Sequence, residues 1–110
     1  MWNIEIDKNF DEFTKRIKDV NNAEKMIAKK HYLDLMRIFG IKKVKLIDIS
    51  KNKIQLEYRV DSQYVYSLTF LRTSNNKVEF VMRNIGRSLS DLWNNKTFKG
   101  IQKRIIDNWD

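Results

Sequence analysis

Between Lys53 and Val60 the chain reads KIQLEYRV, an unbroken alternation of polar and apolar positions. Successive side chains of a strand point to opposite faces. Ile54, Leu56, Tyr58 and Val60 therefore share one face, and Lys53, Gln55, Glu57 and Arg59 share the other. The first face is expected to be buried and the second wet. Strand-like runs at Trp2–Ile6, Val44–Ile49, Tyr64–Arg72 and Lys77–Arg83 predict four more strands. Turn-forming clusters at Ser50-Lys51-Asn52, Asp61-Ser62-Gln63 and Ser74-Asn75-Asn76 separate the last four into a meander.

Between the first strand and the meander the apolar spacing becomes helical. Asp7 or Asn9 can cap a helix whose stripe is Phe10, Phe13, Ile17 and Val20. The pair Asn21-Asn22 is expected to break that helix and cap a second, running from about Ala23 to Phe39 and stopped by Gly40. Met26, Ile27, Leu33, Met36 and Phe39 can supply its inner face. His31 and Tyr32 fall mid-helix, where a packed or solvent-facing histidine is the plain reading. Gly86 closes the sheet. Beyond it, Ser88 or Ser90 can cap a helical tail with Leu92, Trp93, Phe98, Ile101, Ile105 and Trp109 available for packing. The order predicts a single α+β domain over residues 1–110: a short N-terminal strand, a helical hairpin, an antiparallel meander of about four strands, and one or two C-terminal helices. The first strand is expected to join the sheet beside a later one.

A register slip of one residue would turn every apolar side chain to the wrong face, so face matching predicts the pairing. With Val60 opposite Tyr64, Tyr58 meets Tyr66, Leu56 meets Leu68 and Ile54 meets Phe70. With Thr73 opposite Lys77, Phe70 meets Phe80 and Leu68 meets Met82, which extends the same apolar face. The opposite face follows by subtraction. Glu57 lies across from Ser67 and Ser67 across from Arg83, with Arg59 two residues from Glu57 and Arg87 further along. A carboxylate, a hydroxyl and several guanidiniums on one patch suit a phosphate, because arginine's planar fork binds its oxygens in pairs and stays charged. Cross-strand Glu–Arg pairs are equally ordinary stabilising contacts of an exposed sheet face. Tyr64 and Tyr66 could stack on bases, but sharing a face with Leu68 and Phe70 favours core packing. Lys42, Lys43, Lys45, Lys51 and Lys53 gather near the first turn of the meander. There they could position a nucleic-acid backbone or keep an edge strand from aggregating.

Charge sharpens this picture. The net charge is +8, and its placement is uneven: residues 1–40 carry 8 Lys/Arg against 7 Asp/Glu, and residues 41–110 carry 14 against 7. Such asymmetry suits a polyanionic partner. A solubility charge in a chain rich in Lys, Ile and Asn accounts for the same excess. Cysteine is absent and His31 is the only histidine, which excludes thiolate catalysis, cysteine-ligated metals and multi-histidine metal sites. No cofactor is implied. No apolar run approaches the ~20 residues needed to span a bilayer, and the N-terminal stretch lacks a signal peptide's apolar core, so a cytoplasmic location with no membrane partner is expected.

Taken in order, several motifs resemble the RelE/ParE-like toxin superfamily, and within it the HigB-like and phage-type members. WNIEIDKNFDEFTKRI is similar to its first strand and helix, LMRIFGIKKVKLI to the glycine-stopped hairpin end entering a strand, and KIQLEYRV to a strand ending in glutamate, an apolar residue and arginine. YVYSLTFL resembles its tyrosine-bearing next strand, KVEFVMRNIGRS its last strand with a basic exit, and KTFKGIQKRIIDNW its closing helix. The resemblance implies a small toxin that enters the ribosome, cleaves mRNA without a metal, and is neutralised by an antitoxin protein. Arg59 would then stabilise the scissile phosphate, with Glu57, Arg83 and Arg87 beside it. Ser67 and the lysines Lys43, Lys45, Lys51 and Lys53 would contact the RNA. Two positions depart from the common pattern. Ser67 follows Tyr66 where many members carry arginine, and Arg83-Asn84 stand where many carry histidine. A non-enzymatic member that binds gyrase or a host defence complex, or a plain nucleic-acid-binding module of a phage or mobile element, is the alternative reading.

Overall fold

The alternating stretch forms one strand of a five-stranded antiparallel sheet with the order β1-β5-β4-β3-β2. The strands are β1 (Trp2–Ile6), β2 (Lys43–Ile49), β3 (Lys53–Arg59), β4 (Val65–Ser74) and β5 (Lys77–Asn84). The helices are α1 (Phe10–Ile17), α2 (Val20–Ile27) and α3 (Asp91–Asp107). This computed structural model describes residues 1–28, 43–60, 63–87 and 90–109. The α+β class holds, and β1 does return to the sheet, pairing antiparallel with β5.

The register is the one face matching requires. Tyr58 pairs with Tyr66, Leu56 with Leu68 and Ile54 with Phe70; Phe70 in turn pairs with Phe80 and Leu68 with Met82. All of these are buried. The hairpin between β4 and β5 differs from expectation by one residue. Ser74, not Thr73, stands opposite Lys77, because a bulge at Thr73 shifts the ladder while the Thr73 hydroxyl donates to the Lys77 carbonyl at 3.2 Å. A second bulge in β2 falls between Leu46 and Asp48, and Ile47 there is 45% exposed.

All three helices pack on the apolar side of the sheet. Phe13 of α1 meets Phe70 with ring centroids 4.6 Å apart, Phe70 stacks on Phe80 at 4.9 Å, and Phe80 stacks on Phe98 of α3 at 5.1 Å. Trp109 closes the column against Phe13 at 5.8 Å. Asn9 caps α1 by accepting the Glu12 N–H at 3.0 Å, and its amide donates to the Asn75 carbonyl at 2.8 Å. The start of α1 is thereby tied to the β4–β5 turn.

The second helix departs from expectation at both ends. Asp19, not the asparagine pair, is its cap: one carboxylate oxygen accepts from the N–H groups of Asn21 at 2.8 Å and Asn22 at 3.4 Å, so both asparagines sit in the first turn. At the other end Ala28 is extended, and the Ile27 carbonyl accepts from Arg104 Nε of α3 at 2.8 Å. A tertiary donor thus satisfies an end carbonyl that a longer helix would have kept for itself. Burial lowers the pKa of this guanidinium from its ordinary value, an effect that Tyr58 opposes. The remainder of the expected helix, with His31, Tyr32, Leu33, Met36, Phe39, Gly40 and Lys42, lies outside the described residues. A single C-terminal helix forms, capped by Ser90. It buries Phe98, Ile101 and Ile105 but leaves Leu92 and Trp93 exposed on its first turn. Among the described residues no helix is long and apolar enough to cross a membrane.

The column predicts an uneven response to truncation. Phe70→Ala should cost about 3–5 kcal/mol of unfolding free energy in a urea titration. Leu92→Ala, at a side chain 72% exposed, should stay within about 0.5 kcal/mol. Equal losses from the two variants would show that the column is not the centre of the core.

Candidate functional site

Because the helices share one side, the other side of the sheet is left open among the described residues. Its composition is set by strand parity. Lys45 of β2 pairs with Glu57 of β3, Glu57 with Ser67 of β4, and Ser67 with Arg83 of β5, which makes one row across four strands. The neighbouring row pairs Lys43 with Arg59 and Arg59 with Val65. Arg59 and Arg83 therefore flank β4, about 12 Å apart at two strand spacings across and two residues along. Arg59 lies 3.8 Å from Glu57 in an open ion pair, with the side chains 46% and 28% exposed. Gln55 Nε2 donates to Ser67 Oγ at 3.3 Å.

Several cations among the described residues serve the fold. Arg72 is fully engaged: it donates to Asp11 at 2.6 Å, to Asn52 at 3.1 Å and to the Lys51 carbonyl at 3.3 Å, and lies 4.7 Å over the Phe10 ring. Arg104 holds α2. Lys77 meets Glu5 at 3.7 Å, and Lys8 and Arg16 both lie over Trp109. By contrast, Lys45, Arg83 and Arg87 are exposed and their side chains make no ion pair or hydrogen bond among the described residues; the side chains of Lys15, Lys51, Lys53, Lys96, Lys99 and Lys103, which lie elsewhere on the molecule, make none either. Lys45, Arg83, Arg87 and the loosely paired Arg59 gather at one end of the open face. At the other end Glu5 stands directly opposite Glu79, with Asn3 donating to Glu79 at 3.3 Å. Lys53 stands on the same face at that end, across β4 from Glu79.

This geometry divides the expected site residues. Glu57, Arg59, Ser67, Arg83 and Lys45 are brought together, and the backbone of Lys43 joins their edge. Lys51 and Lys53 are not part of the patch. They lie at the opposite end of β3, about 20 Å from Arg59 at the rise of an extended strand. Tyr66 is fully buried on the helix side, and Tyr64 is half-buried with its ring 5.8 Å from that of Trp93.

The basic end is held by a structure that motif reading did not single out. Past β5 the N–H groups of Ile85 and Gly86 donate to the Val65 carbonyl at 2.8 and 3.1 Å, and that of Arg87 donates to the Gln63 carbonyl at 2.9 Å. The close approach requires glycine, since a Cβ at Gly86 would collide with the Gln63 carbonyl and lie 2.8 Å from Val65 N. Beneath this corner Asn94 of α3, only 3% exposed, accepts from the Tyr66 hydroxyl at 2.6 Å and from Asn84 Nδ2 at 3.2 Å. Asn84 Oδ1 accepts the Gly86 N–H at 2.8 Å. A signal for this cluster exists in the sequence: Asn94 falls in the apolar stripe of α3 with Phe98, Ile101 and Ile105, and Asn84 occupies an inward position of β5.

The class defined so far is a small α+β domain that holds helices on one sheet face and gathers unpaired cations on the other. Comparison of the chain with protein-family models, with curated proteins and with solved structures finds no match.

The Gly86 corner gives a direct test. Gly86→Ala should lower stability by about 1–3 kcal/mol, through forced separation of the β5 exit from Val65. It should also shift the backbone resonances of Arg83 and Arg87 while leaving those of Lys51 and Asn52 in place. An unchanged melting curve would show that the corner does not need glycine.

Proposed function

We propose that this chain is the toxin component of a toxin–antitoxin pair, a metal-independent endoribonuclease acting on mRNA at the ribosome, with the basic end of the open face as its RNA surface. The observation that carries the proposal is the concentration of unpartnered cations, Lys45, Arg83 and Arg87, around Glu57 and Arg59. The sequence resemblance and the order of elements support it. In this reading the RNA 2′-hydroxyl gives its proton to Glu57, and the resulting oxygen attacks the adjacent phosphorus. The 5′-oxygen leaves with a proton from Lys45, which yields a 2′,3′-cyclic phosphate and a 5′-hydroxyl. Arg59 and Arg83, one on each side of β4, hold the phosphate oxygens as negative charge develops. An antitoxin would meet the same face with an acidic segment.

A second reading is a binding protein without catalysis, directed at nucleic acid, gyrase or a host defence complex. It is favoured by one observation. The tyrosine of the penultimate strand, Tyr66, lies buried on the opposite face with its hydroxyl on Asn94. Among the described residues the row then offers only Glu57 and Lys45 for proton transfer, since arginine is a poor donor at neutral pH.

Induced expression separates the two. Wild type should arrest growth and leave transcripts cut with 5′-hydroxyl ends. Arg59→Ala and Arg83→Ala should each lower cleavage about 10²–10³-fold, the scale of one lost oxyanion donor. Lys51→Ala should cut normally. Intact transcripts and unimpaired translation on induction would sink the nuclease reading. RNA binding without cleavage, losing about 0.7 of its log–log salt slope for each arginine removed, would establish the second reading for a nucleic-acid target.

A further inference from the structure

The corner beneath Gly86 borders an open cavity of about 260 Å³ lined by Met1, Trp2, Arg83, Asn84, Gly86, Asp91 and Asn94. It lies where the start of β1, the exit of β5 and the first turn of α3 converge. Arg83 belongs both to this wall and to the row across the open face, so the cavity adjoins the basic patch. Its size falls just below the ~300 Å³ at which pockets for whole drug-sized molecules begin, which suits a single ring system.

One wall group is built for a ligand. Asn94 is buried, and its Oδ1 is saturated by the Tyr66 hydroxyl and Asn84 Nδ2. Those two bonds orient the amide, leaving Nδ2 with no acceptor among the described residues. No buried polar side-chain atom among them is sealed away without a partner, so this N–H₂ keeps a solvent-accessible side, and Asn94 lines the cavity. An amide held in one orientation by two bonds presents its donors to the cavity in a fixed direction, which favours a ligand acceptor at that place. The other walls extend the specification. Trp2, half-buried on the edge strand, offers an aromatic ring; Asp91, exposed at the start of α3, offers a carboxylate acceptor; Arg83 supplies positive charge at the rim.

We propose that this cavity takes one unstacked nucleobase of an RNA strand whose backbone lies on the open face, and so reads the base beside the phosphate held by Arg83. A base is flat, can lie against Trp2, and carries on its Watson–Crick edge an acceptor next to a donor. The acceptor takes the Asn94 Nδ2 hydrogen, and the adjacent donor faces Asp91. A bare phosphate would satisfy Arg83 but would be repelled by Asp91 and would leave the ring wall uncovered. The inference rests on the reading of the open face as an RNA surface, and it adds where base preference resides.

The test uses the full chain labelled with ¹⁵N and titrated with the four ribonucleoside 5′-monophosphates and with ribose 5-phosphate. At least one nucleotide should move the Asn94 side-chain amide signals saturably. Ribose 5-phosphate should act at least tenfold more weakly, and the Asn75 side-chain signals, at the far end of the sheet, should stay in place. Asp91→Asn, which keeps the side-chain size, should weaken the preferred nucleotide several-fold without altering the response to ribose 5-phosphate. Asn94 signals that ignore all four nucleotides, or that respond equally to ribose 5-phosphate, would overturn the proposal. Nucleotide binding at Asn94 without any mRNA cleavage would overturn only the nuclease reading. Cleavage with a silent Asn94 would overturn only the base pocket.

Discussion

The fold depends on a column of aromatic rings contributed by separate parts of the chain. Trp109, Phe13, Phe70, Phe80 and Phe98 succeed one another from the C-terminal end through α1, β4 and β5 to α3. None of these contacts joins residues of one element, so the column cannot form until the sheet is in register and both helices have docked. It also explains the lopsided architecture. Rings that stack on the helix side of β4 and β5 draw α1 and α3 to that side, and the opposite face stays open among the described residues.

An open face is a constraint as much as an opportunity. The strict two-residue period that buries Tyr58, Leu56 and Ile54 also places Arg59, Glu57 and Gln55 outward. Pairing then carries Ser67 and Arg83 into line with Glu57. The chemistry on one side of the sheet is therefore a consequence of the packing on the other. What distinguishes the basic end is the placement of its cations: Arg72 and Arg104 serve the fold, whereas strand pairing sets Lys45, Arg59 and Arg83 around Glu57 on the open face.

The two sides meet at the corner beyond β5. Tyr66 and Asn84 point inward to Asn94, while their neighbours Ser67 and Arg83 point outward to the basic row. Gly86 lets the chain turn against Val65 at a distance no side chain would permit. A buried polar cluster of this kind orients its members through saturated hydrogen bonds, so it fixes the backbone from which Arg83 projects. Positioning of the outer cations is in this way tied to a hydrogen-bond network on the inner face.

Strand identities, faces and most of the register were legible in the sequence, because a period of two fixes the faces of KIQLEYRV, YVYSLTFL and KVEFVMRN and the short turns between them fix the register. Asn9 was one of two α1 caps the sequence offered, Asp7 the other, and the structure uses Asn9. Chain neighbours could not show that Arg104, 77 residues away, caps the Ile27 carbonyl, nor that α2 stops there. Nor could composition separate the lysines of the β2–β3 turn from the patch, since only strand length places Lys51 about 20 Å from Arg59. Asn94 in an apolar stripe was a visible anomaly whose meaning needed Tyr66 and Asn84 beside it. Sequence periodicity determined which residues share a face. Tertiary structure alone decided which charges are left unpaired and where a cavity opens, because both depend on contacts between segments far apart in the chain.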